Sequence, residues 1–372
     1  MDENPRELHP HAGAADQLGG WHDAAASGLA ALVIDWQRQH GRHELPWQQT
    51  RDPYRVWLSE IMLQQTQVAT VRGYYARFLL RFPDVTTLAA ATLDEVLEVW
   101  AGLGYYSRAR HLHACAQAVM TRHGGRFPSS AAELETLAGI GRSTAAAIAA
   151  FCFDERAAIL DGNVKRVLSR ALGFDADLAS STNERVLWDR AQALLPPSPA
   201  DMPAYTQGLM DLGATVCSRG KPDCPRCPLA ERCVARAEGR PESYPVKTKK
   251  LKRSTREHWW LWLAAPDGAV WLQQRPATGI WAGLWTLPLF DSEDALMQAL
   301  AALGIHHAAE PQPAVRHALT HLDWTLHPRR MALAAMPEAA ILATTLRTGR
   351  WFDPLALRTV ALPAPLHRLL RC

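Results

Sequence analysis

The sequence predicts a multidomain chain, an all-α domain followed by an α+β domain. Three observations carry that expectation. From about residue 26 to 235, apolar residues recur at helical spacing in segments joined by short Gly- and Pro-bearing connections. A basic run, RPESYPVKTKKLKRSTR at 240–256, then sets seven Lys or Arg against one Glu. Beyond it the hydrophobic period shortens to that of strands. The 372 residues suffice for two domains and a tail.

The elements follow in order. Residues 1–25 have no apolar core of signal-peptide length and read as a flexible tail. Leu29, Leu32, Val33 and Trp36 mark a first helical face. DPYRVWLSEIMLQQTQV (52–68) begins with a capping Asp52 and with Pro53, whose missing N–H costs nothing in a first turn. Its stripe of Trp57, Leu58, Ile61, Met62 and Val68 carries Glu60 in the middle, with Gln64 one turn later on the same side. Similar patterns occupy 67–81, 93–101, 107–121, 131–138, 143–152, 163–171 and 183–194. The run at 236–256 is a basic linker, a solvated segment or a phosphate-facing patch. Residues 257–372 form the second domain, with a hairpin at 259–276 around Pro266, Asp267 and Gly268. A helix from Ser292 to Leu303 ends before Gly304, and a strand follows at 317–335.

Composition is that of a globular protein, 48% apolar and 21% charged, and a net charge of +3 selects no partner by itself. No segment reaches the ~18 apolar residues of a membrane span. A cytoplasmic, thiol-reducing setting and a monomer are expected.

Two constellations carry chemistry. LAGIGRSTAAAIAAF (137–151) sets Gly139 and Gly141 about one apolar residue, and a helix opens with Arg142, Ser143 and Thr144. Such glycines allow a tight turn whose following N–H groups face an anion at the positive end of the helix dipole. LDGNVKRVLSR (160–170) follows, with Asp161 before Gly162 and Asn163, and Lys165 and Arg166 on a basic helix. The second constellation is Cys217, Cys224, Cys227 and Cys233, spaced C-x6-C-x2-C-x5-C. Four thiolates so close require a cation, either zinc or an iron–sulfur cluster. A single C-x2-C pair with uneven gaps suits the cluster better. Cys115, Cys152 and Cys372 stand alone.

These motifs resemble the helix-hairpin-helix superfamily of DNA glycosylases. Within it, LPWQ (45–48), SEIMLQQTQV (59–68), AGLGYYSRARHLH (101–113), GIGRSTA (139–145), LDGNVKRVL (160–168) and MDLGATVC (210–217) are similar to the MutY family of adenine DNA glycosylases. The likeness runs through 26–235 nearly without gaps. QQRP (273–276), GIWAGLWTLP (279–288) and RHALTHLDW (316–324) are similar to that family's Nudix-like domain.

The resemblance implies hydrolysis of the N-glycosidic bond of adenine paired with 8-oxoguanine or guanine in duplex DNA, and a [4Fe–4S] cluster on the four cysteines. It implies that Glu60 is the catalytic acid, kept protonated by apolar neighbours so that it can protonate adenine N7. Asp161, supported by Asn163, stays ionised to steady the cationic sugar. Lyases of the superfamily carry a Lys nucleophile where this chain has Ser143, and serine forms no Schiff base. A monofunctional enzyme is therefore expected. Gln64, Gln65 and Tyr105 are the wedge and lesion contacts. Gly139, Gly141, Ser143 and Lys165 face the DNA backbone. In the Nudix-like domain, the acid-rich metal box is absent, with Leu289 where its first Glu would stand. The family's Phe-Ser-His loop falls on Leu319, Thr320 and His321, so the ring is lost and lesion contact rests on Thr320 and His321.

Overall fold

The computed structural model describes residues 23–248 and 252–370, with side chains from Gly28 onward. The expected tail at 1–25 lies outside the described residues up to residue 22, and α1 (Asp23–His40) takes up the rest. There follow α2 (Pro53–Leu63), α3 (Val68–Arg81), α4 (Val85–Ala90), α5 (Leu93–Trp100) and α6 (Ser107–His123). Next come α7 (Ala131–Leu134), α8 (Arg142–Phe153), α9 (Gly162–Leu172), α10 (Ser181–Ala193), α11 (Met202–Thr215) and α12 (Val234–Ala237).

The helix expected over 52–68 stops at Leu63, and Val68 opens α3 instead. Gln64 is thus a C-cap and not a residue one turn along the face, and Gln65 turns through φ +57°. No Gly or Pro marks this break. The carbonyls of Ile61, Met62 and Gln64 are taken by the guanidinium of Arg108, a cap supplied from α6. Further helices escaped the periodicity, α4, α11 and α12 in the helical region. α4 has only one and a half turns, held by the Asp84 side chain accepting from Thr87 N at 2.8 Å. α11 contains Gly208 and Gly213, which look like stop signals but serve close packing. A Cβ on Gly213 would stand 2.6 Å from Asn163 Cβ, and one on Gly208 would stand 2.7 Å from Val33 Cγ1.

The chain forms two compact units that do not follow sequence order. The first comprises the chain up to Arg51, Ser129–Glu135 and Gly141–Thr248; the second comprises Asp52–Pro128, Thr136–Ile140 and residues 252–370. In the first, Val33, Ala147, Val164, Leu168, Leu187 and Leu212 are fully buried in one cluster, and α11 packs on α1, α8 and α9. Asp211 of α11 is itself buried, with both oxygens held by Arg42.

In the second unit, α2–α6 bury Trp57, Phe78, Phe82, Trp100 and Leu112. The edge of Trp100 meets Phe78, ring centres 6.1 Å apart. The rest of the unit is built on strands β1 (Ser254–Ala264), β2 (Val270–Gln274), β3 (Trp285–Thr286), β4 (Leu289–Phe290), β5 (Glu310–Pro311), β6 (Val315–Ala318), β7 (Leu322–Ala332) and β8 (Gly349–Phe352). They join helices α13 (Glu293–Ala302), α14 (Ala339–Leu346) and α15 (Ala364–Leu370). The sheet runs β3-β2-β1-β7-β5, with β4 on β1, β6 on β7 and β8 on β2. The expected hairpin is β1–β2, closed by Asp267 accepting from Ala269 N at 2.9 Å. β1 begins at Ser254, inside the basic run, because it pairs in parallel with β7 from Ser254↔Leu322 to Ala264↔Ala332. Arg253 just before it pairs with Asp323. Lys249 and Lys250 of that run lie outside the described residues. The strand expected at 317–335 is two, β6 and β7, interrupted by Leu319–His321. α13 matches its expectation: Ser292 caps it, Leu296 and Leu300 are buried, and Gly304 follows at φ +74°. Among the described residues no helix is long and apolar enough to cross a membrane.

Candidate active site

In the second unit, α2 starts as the sequence requires, with Asp52 Oδ1 accepting from Tyr54 N at 2.9 Å and Pro53 in the first turn. Trp57 and Ile61, on either side of Glu60, are buried, and Glu60 itself is half-buried. The carboxyl therefore sits at the edge of an apolar face. Beyond the end of α2, Gln65 is exposed. On the neighbouring loop, Gly102 and Gly104 adopt positive φ, and so does Tyr105 at +49°. Tyr105 is 47% exposed, whereas Tyr106 is a core residue whose hydroxyl accepts from Gly102 N and donates to Leu362 O.

Tyr105 also lines a cavity of about 580 Å³ with Arg110, Trp281, Leu319, Thr320 and His321. This brings the Tyr-bearing motif of the helical region, AGLGYYSRARHLH, to the turn between β6 and β7. Arg110 Nη1 donates to Ala282 O at 2.7 Å and fixes the adjoining turn, in which Trp281 takes φ +58°. The Trp281 ring stacks on Trp324 at 4.6 Å and tilts against His317 at 5.3 Å. Thr320 and His321 are exposed at the rim. The acids near the missing Nudix box are spoken for: Glu293 holds Arg329 at 2.6 Å, and Asp291 lies 3.1 Å from His258.

In the first unit, Asp161 caps α9. Its Oδ1 accepts from Asn163 N at 2.9 Å and Val164 N at 2.8 Å. Burial raises the pKa of this carboxyl above the ordinary aspartate value, against the opposing pull of those two N–H bonds and of Arg166 and Lys165. Asn163 supports Asp161 through its backbone; its side-chain Oδ1 accepts instead from Arg166 Nη2 at 2.9 Å. Lys165 pairs with Glu184 at 2.6 Å. Ser143, in the first turn of α8, accepts from Leu160 N at 3.1 Å and so ties down the residue before Asp161. Gly141, at the start of this stretch of the first unit, is the extended N-cap of α8, and Gly139, in the second unit, has φ +76°. A Cβ on Gly139 would meet His111 Cβ at 2.6 Å.

Cys217, Cys224, Cys227 and Cys233 line one small cavity of about 20 Å³ beside Arg170. None of them is in a disulfide. Arg170, 2% exposed, donates to Cys217 Sγ at 3.3 Å, Ser218 O at 2.7 Å, Arg219 O at 2.9 Å and Pro241 O at 2.7 Å. Burial, with the other sulfurs adding, pushes the Cys227 thiol up to about 12 and also raises Cys233. Four cysteine sulfurs converging on one cavity are the donor set that an iron–sulfur cluster takes, each sulfur giving up its proton on binding. Among the described residues no group of three or more His, Cys, Asp or Glu has the geometry of a single-ion site.

Glu60 falls in the second unit and Asp161 in the first. Three arginines organise these surroundings: Arg166, read from the sequence only as part of a basic helix, and Arg108 and Arg170, which sequence reasoning did not single out. Each stands on a helix at a position that periodicity alone leaves to solvent, and a lone Arg in a motif has no signature of burial.

Comparison with known proteins supplies the family. Residues 58–192 match the family model described as "HhH-GPD superfamily base excision DNA repair protein", and residues 259–372 match that of the NUDIX domain. The chain is 33% identical over 343 residues to the adenine DNA glycosylase of Buchnera aphidicola subsp. Acyrthosiphon pisum (strain APS), covering 92% of this chain and 96% of that one. It is 32% identical over 413 residues to the adenine DNA glycosylase of Homo sapiens, covering 94% and 74% respectively. A solved thermostable thymine-DNA glycosylase superposes with a TM-score of 0.51 at 26% identity, over 57% of this chain and 97% of that one. With its helix-hairpin-helix repair region and following Nudix-like region, the chain belongs to the adenine DNA glycosylases, hydrolases of base-excision repair that act on N-glycosidic bonds.

Proposed function

We propose that this chain excises adenine paired with 8-oxoguanine or guanine in duplex DNA, acting on the nucleoid in the cytoplasm. The observation that carries the proposal is the placing of two exposed side chains, Gln65 and Tyr105, on backbone at positive φ beside the end of the helix that bears Glu60. Side chains so presented can enter a base stack, fill the gap left by an extruded adenine and contact the base opposite. Gln64 adds an amide beside them. Glu60, half-buried against an apolar face, protonates the extruded purine at N7 and then helps to activate water. Asp161 steadies the positive charge that grows on the sugar, through Oδ2, which accepts no hydrogen bond among the described residues.

The N–H groups at the start of α8, after Gly139 and Gly141, receive a backbone phosphate. Lys165 adds positive charge nearby. Ser143 acts as a tether for Leu160, and with no amine at that position the enzyme leaves the strand intact. Thr320 and His321, at the rim of the cavity that Tyr105 lines, read the lesion. Cys217, Cys224, Cys227 and Cys233 would hold a [4Fe–4S] cluster, which would cross-link the segment between α11 and α12, while Arg170 holds that segment to α9.

The test is release of adenine from a duplex with adenine opposite 8-oxoguanine. Glu60→Gln should bind this duplex with unchanged affinity and lose at least about a thousandfold in single-turnover rate. Equal rates would dismiss the assignment. The wild-type product should break only on treatment with alkali; full cleavage without alkali would mean a lyase.

A further inference from the structure

We infer that Arg108 is a positioning residue that clamps the two turns bearing Gln65 and Tyr105 to the end of the Glu60 helix, so that base extrusion depends on it. The inference rests on the reading of Gln65 and Tyr105 as the side chains that enter the DNA.

Arg108 lies on α6 and is 7% exposed. Its Nη1 donates to Ile61 O at 3.0 Å, Met62 O at 2.7 Å and Gln64 O at 2.6 Å. Its Nη2 donates to Thr66 Oγ1 at 3.0 Å, Gly104 O at 3.2 Å and Leu103 O at 3.5 Å. One side of the fork thus closes the last turn of α2, and the other reaches both flanking loops. The guanidinium lies 5.3 Å from the Trp100 ring centre and 5.4 Å from that of Tyr105. Five carbonyls and the Thr66 hydroxyl accept from it, and the negative end of the α2 dipole faces the charge. Burial lowers its pKa to about 10, so it stays cationic at neutral pH.

A buried charge held by neutral acceptors is a poor device for stability, because well-packed apolar residues serve as well. What the fork does, and an apolar residue cannot, is fix two separate turns at once with directional bonds. Both turns hold a non-glycine residue in the left-handed region, Gln65 at φ +57° and Tyr105 at +49°. Such conformations persist only where their surroundings over-determine them. Arg108 supplies that restraint, and its burial keeps it from touching the DNA itself.

Stopped-flow fluorescence tests this, using full-length protein as isolated and a duplex with 2-aminopurine at the target position opposite 8-oxoguanine. Arg108→Gln should slow the extrusion signal by about tenfold or more. Gln65→Ala with Tyr105→Ala should slow it similarly. The three substitutions together should fall no more than about threefold below that pair, because residues acting through one another are not additive. Multiplying effects would overturn the inference, as would an Arg108→Gln rate equal to wild type. Should the Gln65 and Tyr105 pair prove silent, the wedge reading itself falls and the inference with it. If Arg108→Gln does not fold, Thr66→Val removes one acceptor while keeping the shape. It should slow extrusion by about threefold and have no effect in the paired background. No slowing by Thr66→Val, or slowing that persists in the paired background, overturns the inference.

Discussion

The proposed function divides the carboxylate of Asp161 between two tasks. Oδ1 closes the N-terminus of α9, and in the proposed reaction Oδ2 faces the sugar. Because burial raises its pKa, the protonated form is favoured on folding. The contribution of this carboxyl to stability is therefore fully present below the unfolded value and lost as pH rises through the raised, folded one. At neutral pH the ionised group works against the fold. Asp161→Asn, which keeps an acceptor for the α9 amides, should raise the melting temperature at pH 7–8 while excision collapses. The wild-type acid limb of kcat/KM should lie above the ordinary aspartate pKa of about 3.9. Calorimetry and a pH–rate profile check the two halves separately. At this scale the sequence was informative wherever a residue's role follows from its immediate neighbours. Trp57 and Ile61 announced the apolar flank of Glu60, and Gly162 after Asp161 announced a cap. Arg108 could not be found in this way, since its acceptors lie on segments more than forty positions earlier and on the loop just before it.

Among the elements, α9 is the most heavily tied. Asp161 caps it, Arg166 binds Cys217 O at 2.7 Å and Gly213 O at 2.6 Å, and Arg170 binds the loop after Cys217. Its first turn rests directly on α11 at Gly213, where an added Cβ would press on Asn163 at 2.6 Å and on its backbone at 3.1 Å. Backbone cannot swing aside as a side chain can. Gly213→Ala should thus cost about 2 kcal/mol by overpacking and displace Asp161. Urea denaturation should register the loss, and excision should fall further than the population of folded protein explains. Elements with strong local punctuation were legible: Asp52 and Ser292 open helices, and Gly304 follows one. α11 was not, because a glycine that stops a helix and one that admits a neighbour look alike in a single sequence. Likewise the break after Leu63 is made by a distant guanidinium.

At the scale of the whole molecule, the cavity beside Tyr105 draws on the helical region and on the sheet of the same unit. Thr320→Ala with His321→Ala should reduce the preference for adenine opposite 8-oxoguanine over adenine opposite guanine by about tenfold. Single-turnover rates on the two duplexes measure it, and an unchanged ratio would refute the lesion-reading role. Trp281 and His317 were not singled out from the sequence, yet they bring aromatic rings to this cavity, which lacks a ring at Leu319. The order of domains along the chain was legible through the change of hydrophobic period near the basic run. The discontinuous make-up of the two compact units was not, since it depends on which helices meet in space.

The parallel pairing of β1 with β7 has a consequence for biosynthesis. β1 leaves the ribosome first, and its eleven-residue partner follows only after several shorter strands and α13 have been made. Until then one flank of a tryptophan-rich ribbon carries unsatisfied amides and carbonyls, an invitation to intermolecular adhesion. Nascent chains halted between residues 270 and 320 should be captured by holdase chaperones, and release should coincide with emergence of the last strands.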